Sequence, residues 1–190
     1  MSRRILFLGP QGSGKGTQAT RLSTLLGVPH VSSGDMLRQA VAEHTELGER
    51  AEALMAAGDL VPDELVVAMV AERLQKGDAR CGFLLDGFPR TEPQARALDA
   101  AVDDDAIDTV VLLEAAEGEL MQRLLKRAHE QGRSDDTAAA IQRRLDLYWE
   151  ETAPLAEYYP SHGVTVVRVD GMGSIDEVFV RIVTALAEEA

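Results

Sequence analysis

Apolar and polar positions follow two rhythms along this chain. RILFLG, VPHVS, CGFLLDG, DTVVLLE and VTVVRV are short, nearly continuous apolar runs. Such runs read as strands buried on both faces. Between them apolar residues recur at steps of three and four, which predicts helices. The spacing places helices at about 15–26, 34–44, 48–57 and 62–75, from near Thr91, at about 117–129, and from about Ser174. One long helix is expected after the polar break HEQGRSDD, running to about Tyr159. Strands separated by helices predict a three-layer α/β fold, a five-stranded parallel sheet with helices on both faces. Ligands of such sheets bind beyond the carboxyl ends of the strands. No repeat, linker or low-complexity segment interrupts the pattern, so one domain over residues 1–190 is expected.

Composition narrows the class. The net charge of −13 argues against nonspecific binding to nucleic acid or to an acidic membrane. No apolar run is long enough to span a bilayer, and MSRRILFLG is too short and glycine-broken for a signal peptide. The single cysteine, Cys81, allows no internal disulfide and fits a reducing compartment, so a cytoplasmic protein is expected. Of the 19 basic residues only Lys15, Lys76 and Lys126 are lysines. The remaining 16 are arginines, whose planar fork grips phosphate bidentately. The four histidines, His30, His44, His129 and His162, show no ligand-like spacing.

One lysine lies in GPQGSGKGTQ, Gly9 to Gln18. A strand enters this stretch and a helix leaves it, as a phosphate cradle requires. Glycines 9, 12, 14 and 16 let backbone amides curl around an anion. The helix N-terminus adds partial positive charge and Lys15 a full one. Against the general phosphate-loop pattern, Gly16 occupies the place of the hydroxyl residue, and Thr17 carries the hydroxyl one step later.

Gly-Lys-Gly-Thr-Gln after an apolar strand resembles the nucleoside monophosphate kinases, and the adenylate kinases in particular. The other motifs each admit a structural and a functional reading. SSGDMLR, Ser32 to Arg38, reads as a helix start with Ser32 or Ser33 as cap and Asp35 in a capping box. It also resembles the family's monophosphate-binding helix, which implies Arg38 on the acceptor phosphate and Ser33 against its base. GFLLDGFPRTEPQ, Gly82 to Gln94, ends a strand on Asp86, a place for a carboxylate that orders the waters of Mg²⁺. Thr91 and Gln94 also fit a capping box. The string is similar to the family's Asp-Gly-Phe-Pro-Arg signature. That resemblance implies Gly87, Phe88, Pro89 and Arg90 at the acceptor, with Arg90 gripping phosphate and Gln94 hydrogen-bonding adenine. Relatives acting on pyrimidine monophosphates carry Asn where this chain has Thr91 and Gln94, which favours AMP.

The resemblance continues through the chain. It implies Asp59, Leu60 and Val61 along the AMP site. The arginine-rich stretch from Gln122 to Leu145 reads by itself as a solvated helix surface balanced by Glu130, Asp135 and Asp136. It also resembles a short lid, implying Arg127, Arg133 and Arg144 as clamps on the transferring phosphate and Arg123 as a nucleotide contact. No lid cysteines are present, so no structural zinc is expected. Gly12, Ser13, Gly14, Lys15, Gly16 and Thr17 would hold ATP, with Gly173 against its adenine. The implied chemistry is Mg²⁺-dependent, reversible transfer from ATP to AMP giving two ADP. The implied catalytic set is Lys15, Arg90, Arg127, Arg133 and Arg144, in a P-loop fold and a monomer. Two mobile segments, about 32–61 and about 127–137, are expected to close over the nucleotides. A GTPase is the main rival, but Gln75-Lys76-Gly77-Asp78 does not match its Asn-Lys-x-Asp guanine motif. A noncatalytic nucleotide-binding module and a UMP or CMP kinase remain as further alternatives.

Overall fold

The computed structural model describes residues 3–102, 107–131, 133 and 135–189. The five apolar runs form five strands: β1 (Arg3–Leu8), β2 (His30–Ser32), β3 (Gly82–Asp86), β4 (Thr109–Glu114) and β5 (Thr165–Asp170). They make one parallel sheet in the order β2-β3-β1-β4-β5. The helices are α1 (Lys15–Leu26), α2 (Ser33–Ala42), α3 (Glu46–Ala57), α4 (Asp63–Leu74), α5 (Glu92–Ala101), α6 (Glu117–Gln131), α7 (Ala138–Leu147), α8 (Leu155–Ser161) and α9 (Ile175–Glu188).

The continuous apolar strands are explained by cores on both faces of the sheet. Alternate residues of a strand point to opposite faces. Ile5 and Phe7 join Leu84, Val111 and Leu113 beneath α1 and α9, with Ala19, Leu22, Val178 and Ile182. Leu6 and Leu8 join Phe83, Leu85, Val110 and Leu112 on the other face, covered by α4, α5 and α8 through Val66, Leu98 and Tyr159. A third, smaller cluster of Leu120, Leu124, Ile141 and Leu145 ties α6 to α7. The three-layer architecture is therefore the one the apolar pattern predicts.

The expected long helix up to Tyr159 is interrupted. After α7 the chain widens into a π turn at Tyr148–Thr152, where the Ala153 N–H donates to the Tyr148 carbonyl at 2.8 Å. Pro154 follows and cannot donate a backbone bond, so the α ladder cannot continue unbroken through it. The widened turn also lets the Thr152 hydroxyl donate to the Arg90 carbonyl at 2.7 Å.

Sheet order decides where the site forms. β1 lies between β3 and β4, and the register sets Phe7 and Ser32 on either side of Asp86. The segments leaving β1, β2 and β3 therefore open on the same edge, at the carboxyl ends of the strands.

Candidate active site

A cleft of about 590 Å³ opens at that edge. Its floor is the loop between β1 and α1. Gly9, Gly12 and Gly14 have φ of 137°, 85° and 99°, in the left-handed region that only glycine adopts freely. A Cβ on Gly9 would lie 2.4 Å from the Leu113 carbonyl oxygen, so this position also excludes side chains sterically. Lys15 opens α1, and its Nζ donates to the carbonyls of Gly9 and Pro10 at 2.7 and 2.9 Å. Burial lowers its pKa to about 8; nearby Arg90 and Arg127 push the same way, and Asp86 opposes them.

Gly16 faces the end of β3. A Cβ there would meet Asp86 Oδ2 at 3.3 Å. The same carboxylate oxygen lies 3.6 Å from His30 Nε2. Thr17, in the first turn of α1, also lines the cleft.

The turn after β3 forms the next wall. Gly87, with φ of 77°, bends the chain. Its carbonyl accepts from Arg90 Nε at 2.8 Å and from the Ser33 hydroxyl at 2.7 Å. Burial, together with the neighbouring guanidinium of Arg144, lowers the Arg90 pKa to about 10, which leaves it charged at neutral pH. Ser32 caps α2 by accepting from the Asp35 N–H at 3.3 Å. One turn later Arg38 turns back to pair with Asp35. Thr91 caps α5, but the reciprocal capping-box contact is displaced: Gln94 Oε1 accepts from Arg90 N–H at 2.8 Å.

The arginines of α6 and α7 close the far side. The carboxylate of Asp136 is fully buried between Arg127 and Arg144. Arg127 Nε and Nη2 donate to Oδ2 at 2.9 and 2.7 Å, and Arg144 Nη1 donates to Oδ1 at 2.6 Å. Arg144 also reaches Asp135 Oδ2 at 2.8 Å and the Met55 carbonyl at 2.9 Å. Burial is the first cause of the lowered pKa of Arg133, with Arg38 and Arg127 adding to it. Arg123 donates to the Gly171 carbonyl at 3.3 Å.

The structure thus gathers nearly all the residues singled out from sequence. Gly12, Gly14, Lys15, Gly16, Thr17, Ser33, Arg38, Asp59, Leu60, Val61, Asp86, Gly87, Pro89, Arg90, Gln94, Arg123, Arg127, Arg133 and Arg144 line one cleft. Three do not line it. Ser13 is buried beneath the loop, Phe88 packs into the core, and Gly173 sits in the turn before α9. Of the expected lid, Gly132 and Ser134 lie outside the described residues. Asp136 read from sequence as a surface counter-charge, whereas its burial makes it the clasp of two arginines. Asp63 and Thr152 were not singled out. Both act on residues 28 or more positions away, and local spacing carries no signal of that.

A strand–loop–helix phosphate cradle, facing a second helix-borne arginine and a ring of further arginines, defines a P-loop phosphoryl-transfer enzyme. A family model described as adenylate kinase matches residues 7–164. The chain is 51% identical over 185 residues to an adenylate kinase of Kocuria rhizophila, covering 96% of this chain and 98% of that one. It is 47% identical to an adenylate kinase of Stenotrophomonas maltophilia, with 96% and 98% covered. An adenylate kinase of Thermobifida fusca is also 47% identical, with 98% and 100% covered. The chain belongs to the adenylate kinase family, nucleoside monophosphate kinases that transfer a phosphoryl group between adenine nucleotides.

Proposed function

We propose that the cleft binds ATP and AMP together and transfers the terminal phosphoryl group of ATP to AMP, reversibly, giving two ADP. The observation that carries this reading is the convergence of Lys15, Arg90, Arg127, Arg133 and Arg144 on one space between two helix N-termini. Phosphoryl transfer needs positioning and charge neutralisation more than covalent help. The acceptor phosphate has a second pKa of about 6 and is mostly ionised at neutral pH, so no general base is required.

The residues take the following parts. Gly12, Gly14, Lys15, Gly16 and Thr17 hold the ATP phosphates, with Ser13 supporting the loop from beneath and Arg123 at the rest of that nucleotide, toward the turn of Gly173. Arg38 holds the AMP phosphate. Ser33, Asp59, Leu60, Val61, Gly87, Pro89 and Gln94 shape the AMP site, Phe88 anchors that turn in the core, and Gln94 reads adenine. Arg90, Arg127, Arg133 and Arg144 surround the phosphoryl group in flight. ATP and AMP bring roughly six negative charges, too many for a lone lysine. The remaining cationic groups supply the balance, and the low-dielectric cleft strengthens each contact.

The donor set also fits Mg²⁺. Among the described residues no group of three or more His, Cys, Asp or Glu side chains is placed to hold a metal. Mg²⁺ usually keeps several waters and takes one carboxylate besides the substrate phosphates. Asp86, at the carboxyl end of β3 beside Gly16, is placed to receive those waters, and Thr17 offers a hydroxyl. When bound, the ion offsets phosphate charge and fixes its geometry. No helix among the described residues is long and apolar enough to cross a membrane. A cytoplasmic monomer is part of the same proposal, supported by the single cysteine, Cys81, and by the family resemblance.

The test is a coupled assay with ATP and a panel of monophosphates, run on the parent and on Arg90→Ala. AMP is expected to be the preferred acceptor. Arg90→Ala is expected to lower kcat by about 10²-fold or more while the fold survives. Preference for UMP, or near-normal turnover of the variant, would overturn the assignment.

A further inference from the structure

Asp63 opens α4 and has no part in the chemistry above. Its carboxylate nonetheless receives two side chains from the start of α5. Thr91 Oγ1 donates to Oδ2 at 2.9 Å, and Gln94 Nε2 donates to Oδ1 at 2.6 Å. The opposite end of the Gln94 amide is also engaged, because Oε1 accepts from the Arg90 N–H at 2.8 Å. A backbone N–H can only donate and a carboxylate can only accept. The neighbours therefore decide which end of the amide is oxygen. Turned end for end, the amide would set N–H against N–H at Arg90 and oxygen against oxygen at Asp63. Both contacts would be lost and both replaced by repulsions, in a buried site where unmet polar groups are costly.

Two neighbours hold this arrangement. Thr91 fixes the plane of the Asp63 carboxylate. Thr152 donates to the Arg90 carbonyl at 2.7 Å and steadies that peptide. Gln94 keeps one N–H and one oxygen lone pair unspent, on adjacent atoms, and it lines the cleft. Adenine presents an amino donor beside a ring-nitrogen acceptor, which this edge complements. A 6-oxopurine replaces the amino donor with a carbonyl acceptor, which would face the Gln94 oxygen.

The geometry points to Asp63 as a specificity-positioning residue. It fixes which end of the Gln94 amide donates, and so selects a 6-aminopurine monophosphate over a 6-oxopurine one. This rests on the reading of Gln94 as the adenine contact. A plain helix role is the competing account, since an acidic residue in a first turn favours the helix dipole. That role would move stability and leave nucleobase choice unchanged.

The experiment uses the full chain, its variants Asp63→Ala, Asp63→Asn and Gln94→Ala, saturating ATP, and AMP or IMP as acceptor. Melting temperatures are taken alongside, and rates are measured where each variant is folded. Asp63→Ala is expected to lower kcat/KM for AMP about tenfold through KM, with KM for ATP changed less than about twofold. The preference for AMP over IMP should fall about tenfold in Asp63→Ala. It should fall further in Asp63→Asn, whose new N–H can hold the turned amide oxygen. An unchanged AMP-to-IMP ratio in the folded variants overturns the inference. Should Asp63→Asn fail to fold, Asp63→Ala decides alone. Gln94→Ala separates the two readings. If it keeps full AMP preference, the adenine contact itself is wrong and this inference falls with it. If it loses that preference while the Asp63 variants keep it, only this inference fails.

Discussion

At position 16 the chain departs from the general phosphate-loop pattern, and the structure gives the reason. A side chain there would crowd Asp86 Oδ2, since even a Cβ comes to 3.3 Å. Glycine leaves the carboxylate in place, and Thr17 supplies the hydroxyl one step along the helix. The preceding residue carries a consequence for pH. Lys15 is held at a pKa of about 8 chiefly by burial, with Arg90 and Arg127 adding to the effect against Asp86. Only the protonated amine attracts phosphate. Because the folded value lies below the ordinary 10.5, charge on free enzyme is lost as pH rises through about 8. The ratio kcat/KM for ATP should therefore fall above about pH 8, approaching tenfold per unit. At saturating ATP the phosphates restore the charge, so the limb in kcat should lie at higher pH. A pH–rate series from 7 to 10 checks both limbs. A flat kcat/KM to pH 10 would remove Lys15 from its role.

Among the elements, the junction of α6 and α7 buries a carboxylate between two guanidinium groups. Asp136 is a buried carboxylate that Arg127 and Arg144 both contact. Removing one member of such a cluster leaves the others buried and unpaired, at about 3–5 kcal/mol. Asp136→Ala should therefore lower the melting temperature by about 10 °C and reduce turnover, whereas Asp136→Asn should lose less of both. Calorimetry beside the coupled assay reads the two effects, and an unaltered melting temperature would contradict the clasp. The same junction marks how far sequence could be read. The five strands were legible because a sheet covered on both faces requires continuous apolar runs. Lys15 was legible from its strand–loop–helix setting, whereas Arg38 and Arg90 were joined to it through the family resemblance of their motifs. The clasp was not legible, since Asp136 looks like any solvated acid beside basic residues, and only tertiary packing buries it. Nor was the π turn at Tyr148–Thr152, because helical periodicity runs on across it. Pro154 was the available signal, and its effect fell on the residues before it. Asp63 escaped for a different reason: its partners Thr91 and Gln94 come from another helix.

The whole molecule is acidic, yet its cleft collects cationic groups, and acidic residues occupy several of them in this structure. Arg38 lies 3.9 Å from Asp135, Arg133 lies 4.0 Å from Asp35, and Arg143 lies 2.8 Å from Asp59. Arg144 reaches Met55 across the same gap. The first two contacts link the segment at about 32–61 with that at about 127–137, the two expected to move, and the last two tie the first segment to α7. The Arg38–Asp135 and Arg133–Asp35 contacts are long and the Arg143–Asp59 pair is exposed, so each is of small individual worth and can break and reform at little cost. Phosphate oxygens would compete for the same guanidinium groups and, carrying more charge and more acceptor oxygens than a carboxylate, hold them better. Water is a competing acceptor for the phosphoryl group, so efficient transfer favours a site completed only when both nucleotides are present. A bisubstrate analogue joining the two nucleosides through a phosphate chain should therefore slow amide exchange in both segments together. ATP or AMP alone should protect mainly one, ATP the stretch around 127–137 and AMP the stretch around 32–61. The sheet core around Leu6 and Val110 should change little, since its amides exchange only through global opening. Exchange that is identical with and without the analogue would mean that the segments do not close, and that water is excluded by some other arrangement of the cleft.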